Sequence, residues 1–299
     1  MLFADTIENW QDWGRVFQSI PAFTPLAKEI CRREGLLWQE LSPLTPGTNS
    51  VFRCGDFVLK IFFPKESGLD PKVDFSTELA ASRQAMEWGI PLPRVVAQGM
   101  ISDKYDFYYL VTEYSPGKEA GPWLKQATSV QRENFVTQLR ELLARMNRPT
   151  NALPHQDLKA IVRTNERLEK LTPSLREEVL ARLETLDLGE MVFTHGDLTG
   201  ENLLVQEDGS FVVIDWADAH RAPSWYELGP IAFELFSGDG RLWRLFAGED
   251  REVFLRQLLD CCCLHDFGGD FLTQLAQREN REPFHSLAEV EQVLREKMR

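Results

Sequence analysis

The stretch Val192–Asp215 constrains this chain most: it reads VFTHGDLTGENLLVQEDGSFVVID. Two short runs of branched apolar residues, Leu203–Val205 and Phe211–Ile214, flank Gln206–Ser210. Asp208-Gly209 between such runs predicts a β-hairpin. A third apolar run, Met191–Phe193, leads into His195-Gly196-Asp197. The pattern sets Asp197, Asn202 and Asp215 at the ends of short strands. Asp197 is suited to accept a hydroxyl proton. Asn202 and Asp215 offer hard oxygen donors of the kind Mg²⁺ takes, one or two carboxylates together with substrate phosphates. Each piece alone is ordinary, since an Asp at a strand end is usually a turn or capping residue. The complete string, H-G-D-x-x-x-x-N, strand, Asp-Gly turn, strand and I-D, is far more specific.

A carboxylate, an amide five residues on and a second carboxylate after a hairpin is the layout of a kinase catalytic loop. HGDLTGENLL followed by VVIDWADA resembles the aminoglycoside phosphotransferase and choline kinase-like family, small-molecule kinases with a protein-kinase-like fold. The resemblance implies that Asp197 is the catalytic base and that Asn202 and Asp215 bind the metal. His195 is followed by Gly196 where protein kinases carry Arg. Asp215 is followed by Trp216-Ala217 rather than Phe-Gly, and no A-P-E comes after it. Without that activation segment a protein acceptor is disfavoured. His195 precedes the base and reads as a brace of the loop.

The 299 residues allow one large domain or two lobes. A formal charge of −13 argues against a nucleic-acid partner, which needs a basic footprint. The N-terminus, MLFADTIENWQDW, lacks a basic segment and an apolar core of signal length. No apolar run approaches the ~18 residues of a membrane span. The five cysteines, an odd number, read as reduced thiols of a cytoplasmic protein.

Residues 1 to about 40 read as a helical prelude. Ile7, Trp10, Trp13 and Phe17 recur at helical spacing, Pro21 and Pro25 interrupt, and Leu26–Arg33 makes a second short helix ending at Gly35. Leu44–Phe63 follows as a turn at Pro46-Gly47 and Thr48–Ser50, with strands Val51–Arg53 and Phe57–Phe63 around Gly55-Asp56. This resembles the family's phosphate-covering hairpin. Gly47 would let backbone approach phosphate oxygens, while backbone N–H groups and the hydroxyls of Thr48 and Ser50 donate to them. Lys60 lies in the apolar string V-L-K-I, where a half-buried lysine needs a partner. In a nucleotide site the partners are the α/β-phosphates and a helix carboxylate. The alternative is a lysine snorkelling from an edge strand. The next helix is expected over Thr77–Trp88, capped by Asp74 or Ser76, and the resemblance makes its Glu78 the carboxylate paired with Lys60. Phe107–Tyr114 is an apolar strand that stops at Ser115-Pro116-Gly117, as a connector between lobes would. The resemblance places the edge of the nucleotide base on the main chain of Thr112 and Tyr114, with Val58 and Leu204 as candidate apolar faces.

Helices are expected over Val130–Asn147, Leu158–Leu171, Ser174–Leu186, within Leu242–Gln277 and over Ser286–Met298. The resemblance sets Glu227 where the family carries an Asp that braces the catalytic loop, a departure of one methylene. Asp218 either faces the site or is solvated. Cys261-Cys262-Cys263-Leu264-His265 is an unusual string, but adjacent helical residues point about 100° apart and cannot converge on one metal. These read as buried thiols. Asp260, Asp266 and Asp270 are candidates for binding a cationic acceptor, or simply a solvated acidic face.

The expected fold is α+β and protein-kinase-like. A small N-terminal lobe, 1–114, has an antiparallel sheet and one helix. A larger, mainly helical C-terminal lobe, 115–299, carries the catalytic loop and acceptor site. The expected reaction moves the γ-phosphoryl group of ATP or GTP, with Mg²⁺, to a hydroxyl of a small molecule, with an aminoglycoside-like antibiotic as one acceptor. The alternatives are a housekeeping kinase of the choline, homoserine or sugar type, or a non-catalytic nucleotide-binding module. Oligomeric state is not encoded in any of these signals.

Overall fold

A computed structural model describes residues 1–45 and 47–299, and Pro46, of the turn expected at Pro46-Gly47, lies outside them. In chain order the elements begin with helices α1 (Trp10–Val16) and α2 (Ile20–Glu34) and strands β1 (Leu41–Pro43), β2 (Ser50–Cys54) and β3 (Phe57–Ile61). Then come α3 (Pro71–Glu87), β4 (Val95–Ser102), β5 (Asp106–Glu113), β6 (Lys118–Glu119), α4 (Ala120–Gln126), α5 (Ser129–Met146), α6 (Leu158–Arg163) and α7 (Pro173–Thr185). Strands β7 (Met191–Thr194), β8 (Leu203–Val205), β9 (Phe211–Val213) and β10 (His220–Pro223) precede helices α8 (Gly240–Ala247), α9 (Arg251–Leu264), α10 (Gly268–Arg278) and α11 (Leu287–Lys297). The chain divides into two compact units. The first holds Met1–Met86, Pro91–Pro116 and Val212–Ala217, and the second holds Glu87–Ile90, Gly117–Phe211 and Asp218–Arg299. The short segment Val212–Ala217, which holds Asp215, belongs to the first unit although the residues on either side of it belong to the second.

The first unit is built on a five-stranded antiparallel sheet in the order β1-β2-β3-β5-β4. One face carries an aromatic core. The buried Phe23 ring lies 5.1 Å from Phe3, 5.8 Å from Trp13, 5.7 Å from Phe52 and 6.2 Å from Phe107. Helix α2 is longer than its prolines suggest. Ser19 caps it, Pro21 sits in its first turn where a missing N–H is harmless, and Pro25 lies inside it. Helix α3 likewise starts six residues before the expected Thr77. Asp70 supplies the cap, its side chain accepting from Lys72 N–H, and Pro71 is the first helical residue. Phe75 packs on Phe62 at 5.6 Å and Tyr108 at 5.0 Å. Three residues further along the same helix face, Glu78 is therefore buried.

The second unit is mainly helical, with a core that includes Phe135, Phe193, Phe233, Trp243 and Leu258. A capping box at Thr128 and Gln131 starts α5. The expected helix over 158–171 is two pieces, α6 and a 3₁₀ turn at Glu166–Lys170. The helices expected within 242–277 are three, α8, α9 and α10. Three short strands were not legible in the sequence, the first being β1, which pairs antiparallel with β2. β6 pairs with β8, and β10 pairs antiparallel with β7, setting His220 opposite Thr194. Among the described residues no helix is long and apolar enough to cross a membrane.

Phe23→Ala should cost roughly 3–5 kcal/mol, the range for emptying a buried aromatic site. Chemical denaturation of the two proteins measures it, and a loss under about 1 kcal/mol would contradict this account of the core.

Candidate active site

In the first unit Lys60 is 7 % exposed. Its ammonium lies 2.7 Å from Glu78 Oε2 and 2.6 Å from Asp215 Oδ1. Burial alone would lower its pKa, but Asp215 and then Glu78 outweigh it, and the net shift is upward. Lys60 is therefore a fixed cation at any ordinary pH. Asp215 has φ +60°, a left-handed conformation rare outside glycine. A Cβ at Gly47 would stand 3.8 Å from Asp215 Oδ2. Glycine thus keeps free the volume beside that carboxylate.

Cross-strand register decides which neighbours share the Lys60 face. Val51 lies opposite Lys60, and Val58 opposite Thr112. Ser50 lies opposite Ile61 and is fully buried with Phe52 and Cys54 on the core face. Its hydroxyl is thereby turned away from Lys60, against the expectation that it donates to phosphate. Alternation along β2 carries that signal, since Ser50 falls in phase with Phe52. Thr48 sits in the loop with its carbonyl accepting from the Trp13 indole N–H at 2.9 Å. At the expected base edge, Tyr114 N–H donates to the Asp56 carbonyl at 2.8 Å, and Glu113 N–H to the Arg94 carbonyl at 3.0 Å. Thr112 is in the β3–β5 ladder. The amide of Tyr114 is thus already spent, and the Arg53 guanidinium covers its ring at 3.7 Å.

In the second unit the loop after β7 is organised around Asp197. The Asn202 side-chain amide donates to the Asp197 carbonyl at 2.8 Å and to its Oδ2 at 2.9 Å. Asp197 N–H donates to His195 Nδ1 at 3.3 Å. Glu227 Oε1 accepts from the main-chain N–H of His195, and from that of Gly196 at 3.2 Å. Glutamate thus reaches the loop despite its extra methylene. Glu227 is fully buried, and its Oε2 has no hydrogen-bond partner among the described residues. Burial pushes its carboxyl up to about 7 against the two N–H donors, with Asp197 adding to the rise.

Asp260, Asp266 and Asp270 do not await a ligand. Arg182 holds Asp260, Arg167 holds Asp266 at 3.1 Å and Asp270 at 2.9 Å, and Lys170 also holds Asp270. Closer to the loop in sequence, Glu201 has its pKa raised by partial burial, then by Glu119 and Glu234. The Asp218 carbonyl accepts from His220 Nδ1 at 2.7 Å. All five cysteines are free, buried thiols. No cluster of three or more His, Cys, Asp or Glu suited to a metal occurs among the described residues. Asn202, in the second unit, carries an amide oxygen, and Asp215, in the first, a partly exposed carboxylate; each is a hard donor of the kind Mg²⁺ takes alongside phosphates.

A raised carboxyl means that the folded protein holds a proton the unfolded chain has lost. Between about 4.5 and about 7, Glu227 therefore makes stability fall as pH rises. Glu227→Gln keeps the accepting oxygen and removes the titration. Relative to the parent, the variant should gain stability between pH 5 and pH 7.5 in denaturant melts. A pH-independent difference would show that Glu227 does not titrate in this way.

Comparisons with known proteins came out as follows. Residues 40–260 match the model of the phosphotransferase enzyme family. The fold is similar to the GDP complex of aminoglycoside 2′-phosphotransferase-IIIa, at 18 % identity and a TM-score of 0.66, covering 94 % of this chain and 99 % of that one. It is similar to a GDP and kanamycin complex of an aminoglycoside phosphotransferase, at 18 % identity and 0.64, covering 91 % and 98 %. It also resembles a choline/ethanolamine kinase family protein from Mesorhizobium loti, at 17 % identity and 0.54, covering 91 % and 93 %. No curated protein matches the sequence. With most of its length matched and its kinase-like α+β fold in place, the chain belongs to the phosphotransferase enzyme family, as a phosphotransferase with an alcohol group as acceptor.

Proposed function

We propose that the protein transfers the γ-phosphoryl group of ATP or GTP to a hydroxyl of a small, amine-bearing molecule of the aminoglycoside type. The observation that carries the reading is the Asp197–Asn202 pair. One side-chain amide holds both the carbonyl and the carboxylate of Asp197, which fixes a base whose job is orientation. Asp197 Oδ1 or Oδ2 takes the acceptor proton as the acceptor oxygen bonds to Pγ. The bond from Pγ to the β–γ bridging oxygen breaks, and the nucleoside diphosphate leaves. Lys60, set by Glu78, grips the α/β-phosphates. Gly47 and the main chain of Thr48 border the phosphates. Mg²⁺, held by Asn202 and Asp215 with those phosphates, would neutralise charge building on the transferred group. For the base edge, the spent amide of Tyr114 favours the next groups along, the Glu113 carbonyl and the Ser115 amide.

The amine-bearing acceptor is favoured by Glu201, which shares the loop of Asp197 and whose pKa is raised first by partial burial and then by the carboxylates of Glu119 and Glu234. A structural neighbour in complex with kanamycin is consistent with it. A choline- or homoserine-type kinase is the second reading, since an amino alcohol would meet the same carboxylates. Reduced, buried thiols fit a cytoplasmic location.

The test is nucleotide consumption with Mg²⁺ and ATP or GTP across aminoglycosides, hygromycin-like compounds, choline, homoserine and sugars. Asp197→Ala should lower kcat roughly 10²–10⁴-fold, the span of a lost general base, while nucleotide binding stays near the parent value. Lys60→Met should instead raise the nucleotide KM. Parent-like turnover in Asp197→Ala would overturn the assignment. Nucleotide binding without turnover on any acceptor would favour the non-catalytic module.

A further inference from the structure

The string Cys261-Cys262-Cys263-Leu264-His265 is not used by the reaction above, yet it ends beside the catalytic loop. Helix α9 stops at Leu264, and His265 caps it, its N–H donating to the Cys261 carbonyl at 2.8 Å. The imidazole is 2 % exposed. Its Nδ1 accepts from Phe267 N–H at 3.0 Å, so the ring proton sits on Nε2. That Nε2–H donates to the Gly196 carbonyl at 3.2 Å. The ring is held flat against Tyr226, with centroids 4.2 Å apart and planes 26° apart. Tyr226 is fixed in turn, its carbonyl accepting from Cys261 Sγ at 3.0 Å and its hydroxyl from Asp266 N–H at 3.2 Å.

Gly196 immediately precedes Asp197, and the peptide unit joining them is planar. Its oxygen end is held by His265 Nε2–H, and its nitrogen end by His195 Nδ1, the acceptor for Asp197 N–H. On the other side, Gly196 N–H is held by Glu227. The Cα has no room: φ is +84°, and a Cβ would stand 2.2 Å from the Asp218 carbonyl and 3.0 Å from the His220 ring. With its ends held by two imidazoles, this plane cannot rotate without breaking a buried bond. Rotation would swing the Asp197 carboxylate away from Asn202.

We propose that His265 is a positioning residue for Asp197, acting through the Gly196 carbonyl so that two imidazoles clamp the peptide plane before the base. The proposal rests on the reading of Asp197 as the base for its kinetic consequence only. The clamp itself is a property of the loop.

The experiment compares His265→Phe, which keeps a ring on Tyr226 and loses the donor, with His265→Gln, which keeps a donor. In His265→Phe kcat should fall roughly 10- to 100-fold, the scale of a misplaced catalytic group, with nucleotide affinity unchanged. His265→Gln should recover most of the loss. In an Asp197→Asn background His265→Phe should add nothing further. Hydrogen exchange of peptides spanning 195–202 should quicken in His265→Phe and not in His265→Gln. Imidazole ¹⁵N spectra of the parent should report the Nε2–H tautomer for His265. Equal losses with and without Asp197, unchanged exchange in His265→Phe, or an Nδ1–H tautomer would each overturn the proposal. The spectra need no foldable variant. Exchange and tautomer read the clamp even in a protein without turnover, so a failure of the kinase reading and a failure of the clamp give different results.

Discussion

A cation buried between two carboxylates is the constraint on which the first unit depends. A lysine taken out of water needs close countercharge, or it loses its proton. Lys60 has two, from a helix and from a strand end far apart in sequence. Their places follow from ordinary packing. Phe75 docks α3 on the sheet and thereby aims Glu78, while the ladder of β2, β3 and β5 aims Lys60 to the face it shares with Val51 and Val58. The result is a rigid charge whose countercharge is half committed to the protein. Asp215, 37 % exposed, still presents carboxylate to solvent.

The second unit solves a different problem. Its functional loop holds a carboxylate, Asp197, through neutral groups: an amide, two imidazoles and the main chain. The one acidic side chain behind it, Glu227, is buried, which pushes its carboxyl up to about 7. Likewise, burial and then the neighbouring His220 push His265 down to about 3. Burial thus disfavours charge on both supports behind the Asp197 loop, one acidic and one basic.

Much of this was legible because the relevant signals are local. V-L-K-I marks Lys60 by the misfit of a cation in an apolar strand, and the spacing from Asp197 to Asn202 marks the loop. Helix starts were misjudged where proline was read as a stop. Pro21, read as an interruption, is a first-turn residue of α2; the start placed at Thr77 instead missed the Asp70-Pro71 signal of α3. Ser50 was misassigned by its chemistry, although its phase with Phe52 points it inward. Asp260, Asp266 and Asp270 looked available because their partners, Arg182, Arg167 and Lys170, lie some eighty to one hundred residues away. The His265 contact with Gly196 spans 69 residues and leaves no periodic trace.

The matched family segment opens at residue 40 and closes at residue 260, yet neither limit is a physical edge. Phe3, Trp13 and Phe23, which fill the core face of the sheet, precede it, as does the indole that holds the Thr48 carbonyl. The closing limit cuts α9 five residues short of His265. What is shared with relatives and what must fold together are therefore different lengths of chain. A fragment trimmed to the shared part would expose an unpartnered apolar sheet face at one end and lose the His265 contact with Gly196 at the other.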